Sequence, residues 1–355
     1  MIHRVLSTIV LAASCGAAAA EAPRVASVEV VIGARFEDEG GPADAPASPL
    51  NAPFGLDFDA QGGMYIVELE GGRVRERTPE GVLRVMAGDG STGSAGDGGP
   101  AVQATFNGMH NVAVTKTGQL LISDTWNHCV RAIDLSSRTI DTLAGTRQAG
   151  FSGDGGPARD AQFDFVMCVA LTHDQQRLLI ADINNFRVRD VDLRTGIVRT
   201  IAGNGRRGAP EDGQSAVDQP LVDPRAAAAD SQGRVYVLER GGHALRRIDL
   251  DGTIRTVAGD GTAGLSDGDR QTSRLNAPKH LCVDDSDRVW IADDENAAIR
   301  CYDPRSEALT TVLGRGTGDA TLRLRHPHGV CWRDGVLWVA DTRNDRILKV
   351  TFAAD

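Results

Sequence analysis

Short apolar runs that end in an acid recur six times along the chain. They read MYIVE, LLISD, LLIAD, VYVLE, VWIAD and LWVAD, closing on Glu68, Asp124, Asp182, Glu239, Asp293 and Asp341. A shorter apolar stretch and a Gly-containing or polar turn precede each one. Runs of about five residues are of strand rather than helix length. Nearly continuous apolar character suits strands buried on both faces of a sheet. The units start near residues 50, 106, 163, 221, 275 and 324, a period of roughly 50–58 residues in the range of propeller repeats.

Each run is followed by a second constant pattern. The third residue after the acid is Asn or Gly, the sixth is Val, Leu or Ile, and the seventh is usually Arg. Asp goes with Asn (Asn127, Asn185, Asn296, Asn344) and Glu goes with Gly (Gly71, Gly242). Asn and Gly tolerate a left-handed backbone, which predicts a hairpin turn to a third strand. The shorter acid is expected to bond that turn locally. An acid present in every unit is read as structural, since a catalyst would appear once or twice. A fourth strand follows, as in Thr139 to Leu143 and Thr253 to Val257.

Four strands per unit and six units predict an all-β fold, a six-bladed β-propeller of four-stranded blades. The sixth unit ends at its third strand, Leu348 to Phe352. The missing strand matches Val28 to Ile32 near the start, and Gly40 to Ala43 matches the linkers Gly98 to Ala101 and Gly155 to Ala158. The N-terminal strand should therefore complete the last blade and remove the open edge. Residues 21–355 then form one domain.

The (V/I)(A/S)D ending followed by Asn-x-x-(V/I)-Arg resembles the NHL repeat family, over roughly Val28 to Phe352. The GDGGPA linkers resemble those of secreted bacterial members. The resemblance implies the propeller. It leaves function open, because such propellers include scaffolds, receptors, RNA binders and a few enzymes.

Composition narrows the choice. The net charge is −10 without a basic block, which argues against nucleic acid and anionic membrane surfaces as partners. Glycine, with 41 residues, fits many tight turns. Residues 1–20 have a basic start, an apolar stretch and Ala18-Ala19-Ala20 before Glu21, the form of a secretory leader cleaved after Ala20. Ala13-Ser14-Cys15 offers a lipoprotein alternative, with lipid on Cys15. A secreted or periplasmic location follows from the leader, and no stretch is long enough to span a bilayer. Five cysteines remain after the leader, with no CxxC pair, and are read as small buried hydrophobes rather than a disulfide framework.

Chemistry is expected where the blades differ. Phe54, His110, Met167, Arg225, Lys279 and His328 lead the first strands, followed by Gly55, Asn111, Cys168, Ala226, His280 and Gly329. In a propeller these lie at one mouth of the channel. His110, Asn111, Arg225, Lys279, His280 and His328 are the candidate ligand-binding residues. The basic set favours a small anionic ligand, such as a carboxylate or sulfate, against the plainer reading of a solvated basic ring.

His110 and His328 are the candidate metal ligands, for zinc or, with carboxylates, calcium. Pro327-His328-Gly329 resembles the motif of the amidating-lyase propellers, which implies zinc on three such histidines; the matching positions here supply two. The Ca- or Zn-binding lactonase propellers are matched only by Asn111. His280 is one residue out of register and should point elsewhere. No cofactor is required by the sequence. Trp126 is expected to pack between blades, with a contact for a partner or sugar as the alternative. His128 and His243 are expected at the surface. The GDGG linkers lack the Lys-Ser/Thr of a phosphate loop. No Ser-His-Asp set or nucleophile elbow is present. The leading expectation is a monomeric binding or scaffold module recognising a protein or small anion, and the alternative is a metal-dependent hydrolase or lyase.

Overall fold

The computed structural model describes residues 23–33 and 50–353; the leader with Cys15 and the linker Gly40 to Ala43 lie outside the described residues. Six antiparallel sheets follow one another along the chain. Their innermost strands are Pro53–Phe58, Met109–Val114, Val166–Leu171, Pro224–Ala229, His280–Val283 and Pro327–Arg333. Each neighbours the next, and the last neighbours the first, so the blades ring a central channel. Val25–Ile32 pairs antiparallel with Arg346–Phe352 as the outer strand of blade 6, placing Val28 opposite Val350 and Val30 opposite Leu348. The expected closure is therefore present. Two-residue strands from the linkers, Gly99–Pro100 and Gln214–Ser215, extend blades 2 and 4 to five strands.

The core is divided into six slabs, one at each blade interface. Leu120 and Ile122 of one strand pack toward blade 1, while Leu121 between them packs toward blade 3. Alternation thus operates inside an unbroken apolar run, since both faces of each blade are covered.

The recurring acid acts over a longer range than expected. Asp124 accepts the backbone N–H of Asn107, at the entry to its own blade (2.8 Å), and the amide of Asn127 (2.8 Å). Asp182, Asp293 and Asp341 repeat this with Asp164, Asn276 and Arg325. None caps the following 3₁₀ turn with its side chain. The left-handed residue is also one position later than the Asn: Gly72, His128, Phe186, His243, Ala297 and Asp345. Asn is needed for its side chain, which ties the acid to the incoming linker, as Asn127 does with the carbonyl of Gly93 (2.7 Å).

The pairing of Glu with Gly has a steric cause. A Cβ on Gly71 would lie 2.5 Å from Oε2 of Glu68, and one on Gly242 2.5 Å from Oε2 of Glu239. The longer acid occupies the space that Asn fills elsewhere.

The arginine completes the clamp. Arg300 is fully buried and meets Asp293 of its own blade and Asp267 of the linker, both at 2.8 Å. Arg131 joins Asp97 (2.8 Å) and Asp124 (3.5 Å), and Arg189 joins Asp154 (2.6 Å) and Asp182 (3.9 Å). The linker aspartates of GDGG are therefore partners of these arginines. In blade 6, where Leu348 replaces the arginine, Arg346 reaches Asp341 at 2.7 Å from two residues earlier. His128 and His243 are half-buried rather than free at the surface. Their Nδ1 atoms accept the N–H groups of Phe165 and Ala277 (3.1 Å each) and stitch each blade to the next. The cysteines after the leader are free thiols, and Cys129, Cys168 and Cys301 are buried.

Two predictions follow from this geometry. Gly71→Asn alone should lower the melting temperature, and Glu68→Asp added to it should recover most of the loss; a double variant no better than the single would show that the two positions are independent. Arg300→Met should destabilise by about 3–5 kcal/mol in denaturant unfolding, because it strands a buried carboxylate.

Candidate functional site at the channel mouth

Just before each innermost strand the chain passes through a left-handed residue: Ala52, Gly108, Phe165, Asp223, Ala277 and His326. This kink brings the residue two places later to the mouth. The mouth residues are linked to one another. The Phe54 ring lies 4.7 Å from His110 and 4.0 Å from His328, centroid to centroid. The Arg225 guanidinium sits 5.9 Å from the Phe54 centroid and donates to the Met167 sulfur (2.6 Å). Lys279 Nζ is 3.5 Å from Asp294, and His328 Nε2 is 3.1 Å from the same carboxylate.

Asn111 and His280 lie one layer deeper. The Asn111 amide meets His280 Nε2 at 2.7 Å, joining opposite blades 2 and 5 across the channel. This bridge floors the mouth. His280 faces Asn111 rather than the mouth residues, and burial pushes its pKa down to about 4.

Asp294 was not anticipated. It is 2% exposed and accepts from both His326 Nδ1 and His328 Nε2 at 3.1 Å. It stands directly after the constant acid, where the other blades hold Leu69, Thr125, Ile183, Arg240 and Thr342. That variation inside a constant context was the available signal. Thr125 and Thr342 also serve the mouth region, bonding His110 Nδ1 (2.9 Å) and the carbonyl of Pro53 (2.6 Å).

The charges are unbalanced. Arg225 is 4% exposed, and no carboxylate lies within ion-pair distance of it among the described residues. Burial, then the nearby Arg240, lowers its pKa to about 10. Burial and Arg225 bring Lys279 down to about 8. Burial brings His328 to about 4 against the pull of Asp294, and burial with Arg225 holds His110 well below its usual value. Burial alone would raise Asp294; the hydrogen bond from His328 and the charges of His328, Lys279 and His326 outweigh it and hold it low. At neutral pH the cations Arg225 and Lys279 stand beside one buried carboxylate, Asp294, with the exposed Arg240 nearby, and both mouth histidines are neutral.

The imidazole tautomers can be assigned from their partners. His110 Nδ1 faces the carbonyl of Gly108 at 2.7 Å and so carries the proton, leaving Nε2 as a bare lone pair. His328 donates from Nε2 to Asp294, and its buried Nδ1 has no partner. Among the described residues, one group of at least three potential metal ligands has its atoms mutually within 4.8 Å: Asp294, Glu295 and His326. His110 and His328 flank Phe54 instead, outside that group. Trp126 is 44% exposed at the rim, 6.2 Å from His110, not packed between blades.

The NHL repeat family model matches residues 106–133, the first three strands of blade 2. The chain is an NHL-repeat β-propeller. NHL repeat-containing protein 2 of Gallus gallus is 24% identical over 342 residues, covering 85% of this chain and 46% of that protein. The chain spans less than half the length of the curated relatives it matches. Among solved structures, an auxiliary nutrient binding protein from Bacteroides thetaiotaomicron superposes with a TM-score of 0.65 at 17% identity, over 92% of this chain and 76% of that one. Virginiamycin B lyase from Staphylococcus aureus gives 0.56 at 12% identity, over 85% and 96%. These likenesses show the fold. In this NHL propeller the blade clamps repeat and the mouth does not.

The floor yields a prediction. His280→Leu should leave the Asn111 amide unpaired and lower the melting temperature, whereas Asn111→Leu/His280→Leu together should recover part of it. Strict additivity of the two losses would contradict a direct bridge.

Proposed function

We propose that this protein is a ligand-binding module that takes a small anion, a carboxylate or sulfate, at its channel mouth outside the cytoplasm. The observation that carries the reading is Arg225, a buried guanidinium without a carboxylate partner. A buried charge is costly unless it is paired. An arginine fork that no carboxylate occupies matches the planar oxygens of such a ligand. Lys279 and Arg240 add to the same field, and the neutral histidines add no opposing charge. The leader sequence supports the location, and the likeness to a solved nutrient-binding protein accords with a binding role.

A second reading, a metal-dependent hydrolase or lyase, is favoured by one observation: Asp294, Glu295 and His326 present ligand atoms within 4.8 Å of one another. Zinc suits such a set of imidazole and carboxylate donors. Stoichiometric zinc in purified wild-type protein, lost in Asp294→Asn, would support it.

The anion reading is tested by titrating sulfate while following the arginine side-chain Nε–H resonances by NMR. A saturable shift at Arg225 is expected, absent in Arg225→Met. Affinity should fall as pH rises from 7 to 9, because Lys279 loses its proton near 8 while Arg225 keeps its own. No saturable shift at any mouth arginine would sink the proposal.

A further inference from the structure

The mouth carries more than charge. A row of rings leads outward from Arg225. Phe54 stands under the guanidinium, His110 lies edge-on to Phe54 at 4.7 Å, and Trp126 lies edge-on to His110 at 6.2 Å. The row runs from a residue 4% exposed to one 44% exposed, from the interior of the mouth to its rim.

Trp126 is seated there by its own blade. Its backbone N–H donates to the carbonyl of Asn107 (3.0 Å). Its indole lies over Gly108, where a Cβ would come within 2.5 Å of the ring. At the matching left-handed position the other five blades carry side chains: Ala52, Phe165, Asp223, Ala277 and His326. At the position of Trp126 they carry Glu70, Asn184, Gly241, Glu295 and Arg343. Glycine and tryptophan thus occur together, once, in the blade that also supplies His110. The repeat does not require an indole at this point, and an indole with one face on the protein and its other side in water is a side chain suited to a ligand contact.

We propose that the ligand is an aromatic carboxylate, with its anionic head on Arg225 and its flat ring along Phe54, His110 and Trp126. This assignment rests on the anion reading above and adds the body of the ligand to it. Rings favour one another edge-on or offset at such spacings, and the row offers those geometries. A sugar acid would need several donors and acceptors for its hydroxyls. The row supplies one bare acceptor, Nε2 of His110, and one donor, the indole N–H of Trp126, beside apolar ring faces and the sulfur of Met167.

The test is calorimetric titration of the full mature chain with acetate, phenylacetate, phenylacetamide and glucuronate. Phenylacetate should bind at least tenfold more tightly than acetate and than glucuronate. That advantage over acetate should collapse to less than threefold in Trp126→Ala. Phenylacetamide should bind at least tenfold more weakly than phenylacetate, and Arg225→Lys, which keeps the charge but loses the fork, should weaken phenylacetate several-fold even if Arg225→Met fails to fold. Phenylacetate no tighter than acetate, glucuronate equal to phenylacetate, or an advantage that survives Trp126→Ala would overturn the aromatic assignment and leave the anion reading standing. Phenylacetamide equal to phenylacetate, with Arg225→Lys unchanged, would overturn the anion reading itself.

Discussion

The structure depends on a buried carboxylate–guanidinium clamp repeated around the ring. In blade 5 a single arginine, Arg300, joins the end of the second strand to the linker that precedes the blade. A charged group inside a slab of apolar side chains is costly when unpaired, so each clamp ties three remote segments to one geometry. The apolar slabs between blades supply burial, which is not directional. The clamps supply register. Their acids, raised by desolvation, and their arginines stand or fall together.

This division of labour frees the mouth. The clamp fixes where the left-handed kink and the first strand begin, and that sets the position of each mouth side chain without using its chemistry. Six positions per layer can then vary at little cost to the fold. Here they collect cations on blades 4 and 5, neutral imidazoles on blades 2 and 6, and an aromatic row on blades 1 and 2. The Asn111–His280 bridge uses opposite blades to close the floor, which only a ring geometry allows.

Much of this was legible in the sequence. The period, the four strands per unit and the N-terminal closure follow from repetition, because a repeated unit states its own constraints several times over. The mouth residues are visible as the positions where the repeats disagree. Asp294 escaped because it stands beside a constant acid and reads as part of it, yet its side chain turns to the mouth while that of Asp293 turns to Arg300. In the sequence the clamp reads as a local turn cap because its partners are remote. Asp124 reaches Asn107 and, through Arg131, Asp97, contacts that spacing alone does not disclose. The position of Trp126 is hidden for a related reason: its seat is made by a glycine in another loop, Gly108.

The central claim is that Arg225 is an anion receptor rather than a structural cation. A crystal structure of the mature protein grown in bromide tests it most directly, because anomalous scattering locates the ion without a prior assumption about the ligand. The account predicts a bromide peak within contact of the Arg225 guanidinium, on the side facing Lys279. Bromide only on exposed surface arginines, with Arg225 turned onto Asp294 as its ion-pair partner, would contradict it.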